Sequence, residues 1–368
     1  MKVVIAGGGT GGHIYPGISV AREFLKRDSG AGILFVGTER GVERYIIPKE
    51  GFNLKSITVR GLKGRFSLST VISLFILPIG IVQSLLLLRN YRPDIVIGVG
   101  GYVAGPLVFA SFLLGIPSVI QEQNLFPGIT NRILGRFVDK IAISFQGSAG
   151  YFPKGKICFT GNPVRSEFYN VDYGKDIEKK KGSKFMLLVF GGSRGAHKIN
   201  LSMVEALDLF SDVKDEIHII HQTGEEDFSF VKGEYSKRDI PAEVRPFIFD
   251  MADNYRNADL IICRAGATTI AELTACGKGA VLVPFPYAAN NHQEINARHM
   301  EERGAAVVIK DSDLTGKRLS KTVISLMKNK EKLEEMETES KRLGNPDAGT
   351  RVVDMCYKLL SRRREGER

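Results

Sequence analysis

The sequence predicts an α/β protein of two doubly wound, Rossmann-like domains facing each other across a cleft. Three observations carry this prediction. A β-branched run, Val3-Val4-Ile5, enters the glycine turn Gly7-Gly8-Gly9-Thr10-Gly11-Gly12-His13, and Met186-Leu187-Leu188-Val189 enters a second one, Gly191-Gly192-Ser193-Arg194-Gly195-Ala196-His197. The two turns superpose at an offset of 183 residues. At 368 residues the chain is long for one hydrophobic core and sufficient for two.

The elements follow in order. In the first half, 2–6, 33–37, 95–99 and 118–121 read as strands, with helical stretches near 16–27, 42–50, 70–90 and 104–114. The strands are continuous β-branched runs, as a parallel sheet covered on both faces requires. Pro16 suits the first turn of its helix. Gly161-Asn162-Pro163-Val164-Arg165 reads as an extended linker, because Pro163 drives Asn162 out of the helical region. The second half predicts strands near 186–190, 217–221, 246–249, 260–263, 280–283 and 306–309, a charged helix over 330–342, and a last helix beyond Asn345-Pro346. Lys179-Lys180-Lys181 reads as a solvated loop. The expected divisions are 1–162, 163–343 and a C-terminal helix, 344–368, that packs back on the first domain. Ligands of such sheets lie at the carboxyl ends of the strands.

Composition narrows the classes. Met1-Lys2 leads directly into a strand with no cleavable apolar region, so no signal peptide is expected. Cys158, Cys263, Cys276 and Cys356 are scattered, against a disulfide framework or a zinc site and for a reducing compartment. The net charge of +10 is uneven: residues 1–165 carry 19 Lys/Arg against 8 Asp/Glu, whereas the remainder is nearly balanced. A basic half of this kind seeks nucleic acid, anionic lipid or a diphosphate, the alternative being charge for solubility. No interleaved aromatic platform accompanies it, so no nucleic-acid partner is expected.

The stretch from Val71 to Leu88 is the most apolar. Its length approaches that of a membrane span, but Pro78, Gly80, Gln83 and two serines weigh against one, and a strand follows at once. A buried crossover helix is one reading. An interfacial patch is the other: Arg60, Lys63 and Arg65 precede the stretch beside Phe66 and Leu68, and Ile72, Phe75 and Ile79 continue its apolar face.

Several motifs can carry chemistry. A strand, a glycine turn and a helix present N–H groups and a helix N-terminus to a phosphate. Gly7-x-Gly9-x-x-Gly12 also satisfies a dinucleotide fingerprint, but the second strand ends in Gly37-Thr38 and Glu39 comes late, against NAD. His13 at the end of the turn is either a proton acceptor for an attacking hydroxyl or a histidine satisfied by backbone at a helix start. Gly98-Val99-Gly100-Gly101-Tyr102 forms a third glycine turn, on the same domain edge as the first, and Gln121-Glu122-Gln123-Asn124 adds polar groups there. In Ala265-Gly266-Ala267-Thr268-Thr269-Ile270-Ala271-Glu272, Thr269 and Glu272 satisfy a capping box; the functional alternative has Glu272 accepting from a ribose diol. Asn290-Asn291-His292-Gln293 with Asn296 is placed to touch a sugar. Asp311-Ser312-Asp313 has the form of a metal-binding DxD, but its flanks make it a helix entry, and no metal is expected.

Taken together, Gly9-Thr10-Gly11-Gly12-His13, Gly100-Gly101-Tyr102, Gln121-Glu122-Gln123-Asn124, Gly161-Asn162-Pro163-Val164-Arg165, Gly191-Gly192-Ser193, Ala265-Gly266-Ala267 with Glu272, and His292-Gln293 with Asn296-Ala297 resemble the MurG family. The match runs in order along nearly the whole chain. The resemblance implies the GT-B fold and an inverting, metal-independent, cofactor-free transfer of GlcNAc from UDP-GlcNAc to the muramyl 4-hydroxyl of undecaprenyl-linked lipid I, giving lipid II for the cell wall. It implies that Ser193 meets the donor diphosphate, that Ile248 lies at the uracil, and that Glu272 holds the ribose. Ala267, Thr268, Thr269, Asn124, Arg165 and Gln293 complete the donor site. Thr10, Gly11 and Gly12 line the cleft on the acceptor side and border the donor. Gly12, Gly100, Gly101 and Tyr102 meet the acceptor diphosphate, and His13 is the general base. It further implies peripheral attachment to an anionic membrane on the cytoplasmic face through the patch at Lys63, Arg65, Phe66, Leu68, Ile72, Phe75 and Ile79, and cell-wall synthesis proteins as partners by pathway.

A diacylglycerol glycosyltransferase and a UDP-GlcNAc 2-epimerase share this fold. A silent nucleotide-binding membrane module is the reading from another class. Acceptor-dependent UDP release separates them.

Overall fold

A computed structural model describes residues 1–9, 11–39, 41–59, 68–169, 184–192 and 195–366; for residues 68–75 it describes the backbone. The chain forms two compact units, Met1–Arg165 with Asn345–Arg368, and Ser166–Gly344.

The first unit alternates β1 (Lys2–Ala6), α1 (Gly11–Arg27), β2 (Gly32–Gly37), α2 (Glu43–Lys49), β3 (Asn53–Ser56), α3 (Leu68–Tyr91), β4 (Ile95–Gly98), α4 (Ala104–Leu113), β5 (Ser118–Glu122), α5 (Ile129–Leu134), β6 (Lys140–Ile143) and β7 (Ile157–Phe159). All pairings are parallel, in the order β3-β2-β1-β4-β5-β6-β7. The order reverses between β1 and β4, so the turns that follow those two strands lie side by side at the carboxyl edge.

The second unit runs β8 (Phe185–Phe190), α6 (His197–Leu207), β9 (Ile217–Gln222), α7 (Phe228–Lys237), β10 (Ala242–Arg245), α8 (Met251–Asn257), β11 (Leu260–Cys263), α9 (Ala267–Cys276), β12 (Ala280–Leu282), α10 (His292–Glu302), β13 (Ala306–Val308), α11 (Gly316–Lys328) and α12 (Lys330–Leu343). Its sheet, β10-β9-β8-β11-β12-β13, is also parallel and reverses between β8 and β11. The last helix, α13 (Ala348–Arg364), belongs to the first unit.

The strands form where β-branched runs can be buried on both faces: Val3, Val4, Ile5, Ile95, Val96 and Ile97 are all fully buried. One face of the first sheet is covered by α1, α2 and α13, which contribute Phe24, Ile47, Val352, Val353 and Cys356 to one core. The other face is covered by α3, α4 and α5, which contribute Leu88, Leu107, Val108 and Leu134.

Several expectations need correction. The strand expected near 246–249 lies at Ala242–Arg245 instead: Pro246 has no N–H for the ladder, and the Ile248 N–H goes to the Gln222 side chain at 2.8 Å. The strands β3, β6 and β7 are short edge or near-edge segments without a long apolar run, and the pattern missed them. Helix α1 begins at Gly11, which puts Pro16 in its second turn rather than its first. No helix among the described residues is long and apolar enough to cross a membrane. The polar interruptions in α3 are structural. Gln83 accepts from the Thr58 N–H at 2.6 Å and donates to its hydroxyl at 3.2 Å. A Cβ on Gly80 would lie 2.9 Å from the Thr58 carbonyl oxygen, so the segment after β3 needs glycine there.

Helix α13 is part of the first core rather than an appendage: Val352, Val353 and Cys356 are fully buried, and Tyr357 lies 6.0 Å from Phe24 between ring centroids. At about 1.5–3 kcal/mol per fully buried apolar side chain, α13 supplies an amount comparable to a domain's whole net stability. A chain ending at Gly344 is therefore expected to lose cooperative unfolding of the first unit, read by calorimetry. An unchanged melting profile would show that α1 can leave that face open at no cost.

Candidate active site

In the first unit the two glycine turns meet at the switch point. A Cβ on Gly101, whose φ is +76°, would lie 2.5 Å from the Gly8 carbonyl oxygen. One on Gly100, at φ +94°, would lie 2.6 Å from His13 Nδ1. Only glycine allows this approach. His13, the third residue of α1, is half-buried against the second turn. Tyr102 packs beside Gly9, where an added Cβ would lie 3.4 Å from its ring. The Arg165 guanidinium sits 4.6 Å above the Tyr15 ring. Gly11, Gly12, His13, Tyr15, Gly100, Gly101, Tyr102 and Arg165 thus gather at the start of α1 and the β4 turn. Thr10 lies outside the described residues, as do Lys63, Arg65 and Phe66 of the expected membrane patch. Leu68, Ile72 and Phe75 are on α3 by backbone, and Ile79 is exposed.

The first turn is held from below by a residue that sequence reasoning missed. Glu43, at the start of α2, is fully buried and accepts from the Gly9 N–H at 3.1 Å, the Thr38 N–H at 2.9 Å and the Thr38 hydroxyl at 2.8 Å. Glycines surround its carboxylate: a Cβ on Gly8 would come within 2.6 Å of Oε1 and one on Gly41 within 2.0 Å of Oε2. The glycines around it, Gly37 and Gly41, were the available signal.

Gln121, Glu122 and Gln123 are buried rather than lining the edge. Gln121 donates to Ser144 and Asn162, each at 3.1 Å, and Gln123 donates to the Val99 carbonyl at 2.6 Å, bracing the β4 turn. Burial pushes the Glu122 carboxyl up, and donors pull it back: the N–H groups of Asn124 and Gly128 and the side-chain amides of Asn131 and Asn124. Only Asn124 of this run emerges half-buried, held at its backbone by Glu122 at 2.9 Å.

In the second unit the turn after β8 lies beside the turn after β11. A Cβ on Gly195, at φ +77°, would lie 1.9 Å from the Thr223 carbonyl oxygen. Ser193 lies outside the described residues. Gln222, missed from sequence, ties the turn to the next strand end: its amide donates to the Gly192 carbonyl at 2.9 Å while its carbonyl accepts from Ile248. Ile248 is itself buried.

Helix α9 begins at Ala267 with Gly266 as its N-cap and no side-chain cap, so the Thr269–Glu272 capping box does not form. The reason is register: Thr269 is the third residue of the helix, not the residue before it. Glu272 instead accepts from the Tyr255 hydroxyl at 3.3 Å, and Ala267, Thr268, Thr269 and Glu272 share the first turn and a half of α9. Gln293 accepts from the Phe285 N–H at 3.0 Å. Asn290 and Asn291 adopt left-handed backbone before α10, and Asn296 is fully buried within it, so the polar run does not present one face. Asp311–Asp313 is a 3-10 turn, and α11 starts three residues later on a Thr315 cap. Asp311 pairs with Arg264 at 2.5 Å. No group of His, Cys, Asp or Glu among the described residues could hold a metal ion.

These units match known proteins over nearly their full length. Residues 3–143 match the glycosyltransferase family 28 N-terminal domain and residues 186–352 its C-terminal domain. A relative from Myxococcus xanthus is 46% identical over 98% of this chain and 93% of its own. One from Syntrophus aciditrophicus is 47% identical over 98% and 99%. Both are called UDP-N-acetylglucosamine--N-acetylmuramyl-(pentapeptide) pyrophosphoryl-undecaprenol N-acetylglucosamine transferase. The crystal structure of Acinetobacter baumannii MurG superposes with a TM-score of 0.78 at 31% identity, covering 97% of this chain and 99% of that one.

The chain belongs to the MurG family of glycosyltransferases, family 28. It is an enzyme of the glycosyl-transfer class, and its two units are the Rossmann-like pair of the GT-B fold.

Behind the second turn lies a hydrogen-bonded relay. His197 Nδ1 and Asp227 Oδ1 are 2.9 Å apart, and Asn200 donates to Asp227 Oδ2 at 2.7 Å and to the Thr223 carbonyl at 2.9 Å. Asn200 Oδ1 must then accept, so His221 carries its proton on Nε2, 3.0 Å away, and takes the Tyr235 hydroxyl on Nδ1 at 3.1 Å. Burial pushes the His221 pKa down to about 3, partly opposed by Asp227. The unfolded chain binds a proton at this residue below about pH 6.5 and the folded chain does not. Stability from neutral His221 is therefore full above that pH and is lost as pH falls toward 3, by up to about 1.4 kcal/mol per unit. Denaturant midpoints from pH 7 to pH 4 are expected to fall more steeply in the wild type than in His221→Gln. Equal slopes would place the acid sensitivity elsewhere.

Proposed function

We propose that this chain transfers N-acetylglucosamine from UDP-GlcNAc to the 4-hydroxyl of the muramyl group of lipid I, giving lipid II for peptidoglycan. The observation that carries the reading is one arrangement repeated in two units. Each places a glycine turn at the reversal point of a parallel sheet, in a chain matched end to end by relatives whose names state this transfer.

The chemistry assigns the parts. The acceptor oxygen attacks the anomeric carbon from the face opposite UDP, its proton passes to His13, and the bond from C1 to the β-phosphate oxygen breaks with its electron pair leaving on UDP. His13 is suited to this because it stands at the start of α1 beside the Gly100–Gly101 turn and an imidazole nitrogen can accept a proton. The N-terminus of α6, which follows the second glycine turn, offsets the charge on the departing diphosphate. Glu272, anchored by Tyr255, accepts from the ribose diol, with Ala267, Thr268, Thr269, Ile248 and Gln293 around the nucleotide. Gly12, Gly100, Gly101 and Tyr102 take the acceptor diphosphate, and Asn124 and Arg165 are assigned to the donor. The protein works at the cytoplasmic face of the membrane, attached through an apolar face of the first unit.

UDP release from UDP-GlcNAc, with and without a short-chain lipid I analogue in the presence of EDTA, tests the whole reading. Acceptor-dependent release with a disaccharide product is expected; release with diacylglycerol instead, or without any acceptor, would overturn the acceptor assignment. His13→Ala is expected to lower kcat by ~10²–10⁴ with UDP affinity retained. Wild-type turnover in that variant removes His13 from the role. Glu272→Ala is expected to weaken UDP binding roughly ten- to a hundredfold in calorimetry, the size of a hydrogen bond to a charged group. Unchanged affinity would refute the ribose contact.

A further inference from the structure

Gln123 uses only half of its amide. It follows β5 and is 2% exposed. Its Nε2 donates to the Val99 carbonyl at 2.6 Å and to Gln121 Oε1. Its Oε1 is enclosed and accepts from no donor among the described residues. A buried carbonyl oxygen without a donor is costly, so one kept in that state points to a donor that reaches it in another state of the protein.

Turning the amide over would not relieve this, because its neighbours fix its direction. The Ser144 hydroxyl donates to the Glu122 carbonyl at 2.8 Å, so toward Gln121 it can only accept. The Gln121 amide nitrogen donates to it and to Asn162 Oδ1, each at 3.1 Å. Gln121 Oε1 is then the end that faces Gln123, and it needs a donor there. A reversed Gln123 would set its oxygen against those of Gln121 and Val99. The chain of donations therefore holds Gln123 Oε1 as an acceptor toward Gly100.

His13 lies on that side. The point where a Cβ on Gly100 would stand is 2.6 Å from His13 Nδ1 and 3.3 Å from Gln123 Oε1. The two atoms share this space because Gly100 has no side chain, and its φ of +94° favours glycine there. An amide oxygen can take a proton in a hydrogen bond and cannot give one. A ring nitrogen facing it is favoured as N–H, and a neutral imidazole then carries its lone pair on the other nitrogen, Nε2.

We propose that Gln123 is the positioning residue of the general base. Its Oε1 accepts from His13 Nδ1–H, directly or through one water, and so makes Nε2 the nitrogen that takes the proton of the acceptor hydroxyl. The Nδ1 proton stays on its nitrogen throughout, and the Nε2 proton returns to water after UDP leaves. The contact tightens as the imidazolium forms, since a charged ring is the stronger donor. The inference rests on the reading of His13 as the base; it adds which nitrogen reacts and what selects it.

The full chain labelled with 15N-histidine tests this by NMR. It has six histidines, and His13→Gln identifies the ring signals that belong to His13. With UDP bound and above the ring's titration, the wild type is expected to show Nδ1 protonated and Nε2 unprotonated. In Gln123→Leu the ring is expected to revert toward Nε2–H. Its kcat is expected to fall roughly ten- to a hundredfold, with the KM for UDP-GlcNAc within about twofold. The acid limb of its kcat profile is expected to move down by about half to one pH unit, because the ring's cation has lost its acceptor. Gln123→Glu gives up both donations but keeps an acceptor for Nδ1, so it is expected to retain Nδ1–H and to move the acid limb up. Equal losses in the two variants with an unchanged His13 tautomer would make Gln123 a brace of the turn and overturn the proposal, as would an Nε2–H ring in the wild type. Wild-type turnover in His13→Ala refutes the base reading itself, and the positioning role with it.

Discussion

Everything at the functional edge of each unit depends on backbone approaching backbone where no side chain fits. Gly101 against the Gly8 carbonyl and Gly195 against the Thr223 carbonyl are contacts that even one methyl group would break. The reversal of strand order forces the first closeness; the second lies between the ends of the neighbouring strands β8 and β9. At β1/β4 and at β8/β11 two chains leave neighbouring strands in opposite directions and open a gap between them. Left-handed glycines let both turns curl beside that gap. The same tightness constrains the chemistry. Gly100 leaves its place to the His13 ring, so the orientation of the imidazole is set by an absent side chain.

Turns of bare backbone need support, and buried polar side chains provide it. Glu43 under the first turn and Gln222 under the second both bridge the turn to the next loop. Glu122 and the His221–Asn200–Asp227 relay do the same one layer further back. Each of these groups would be costly to bury alone, at several kcal/mol for a charge, but each has its partners. Because an unmet partner is so expensive, such networks hold one geometry. They explain how loops of glycine, the least constrained residue, can hold one shape.

These supports mark what could and could not be read from the sequence. Continuous β-branched runs gave the central strands, since burial on both faces demands them, and the glycine turns marked the edges. The short strands Asn53–Ser56 and Ile157–Phe159 carry no such run, because an edge strand buries little. Motif spacing marked Glu272 and Thr269 without separating the readings, and only the helix start at Ala267 removed the capping box. Gln121 and Gln123 read as site residues because polar runs at strand ends usually face a ligand; here they spend their amides inward. Glu43 and Gln222 were illegible for the converse reason. Their roles come from loops distant in sequence, and a lone acid or amide carries no period.

The two faces of the first sheet show how the C-terminal helix shapes the remainder. The chain returns from the second unit to lay α13 on α1, and that face is closed by Val352, Val353 and Cys356. The opposite face has only α3, α4 and α5, a single layer whose outer residues no later segment among the described residues covers. On a soluble domain such a layer would be polar outside. Here Ile79, Val82, Leu86, Phe112, Leu113, Ile129 and Ile133 are exposed across three adjacent helices. The excess of basic residues belongs to the same half of the sequence. Exposed apolar surface of this extent costs solubility unless something covers it. The asymmetry of the two faces therefore comes from the path of the chain: its return closes one face with α13 and leaves the helical layer on the other face uncovered among the described residues.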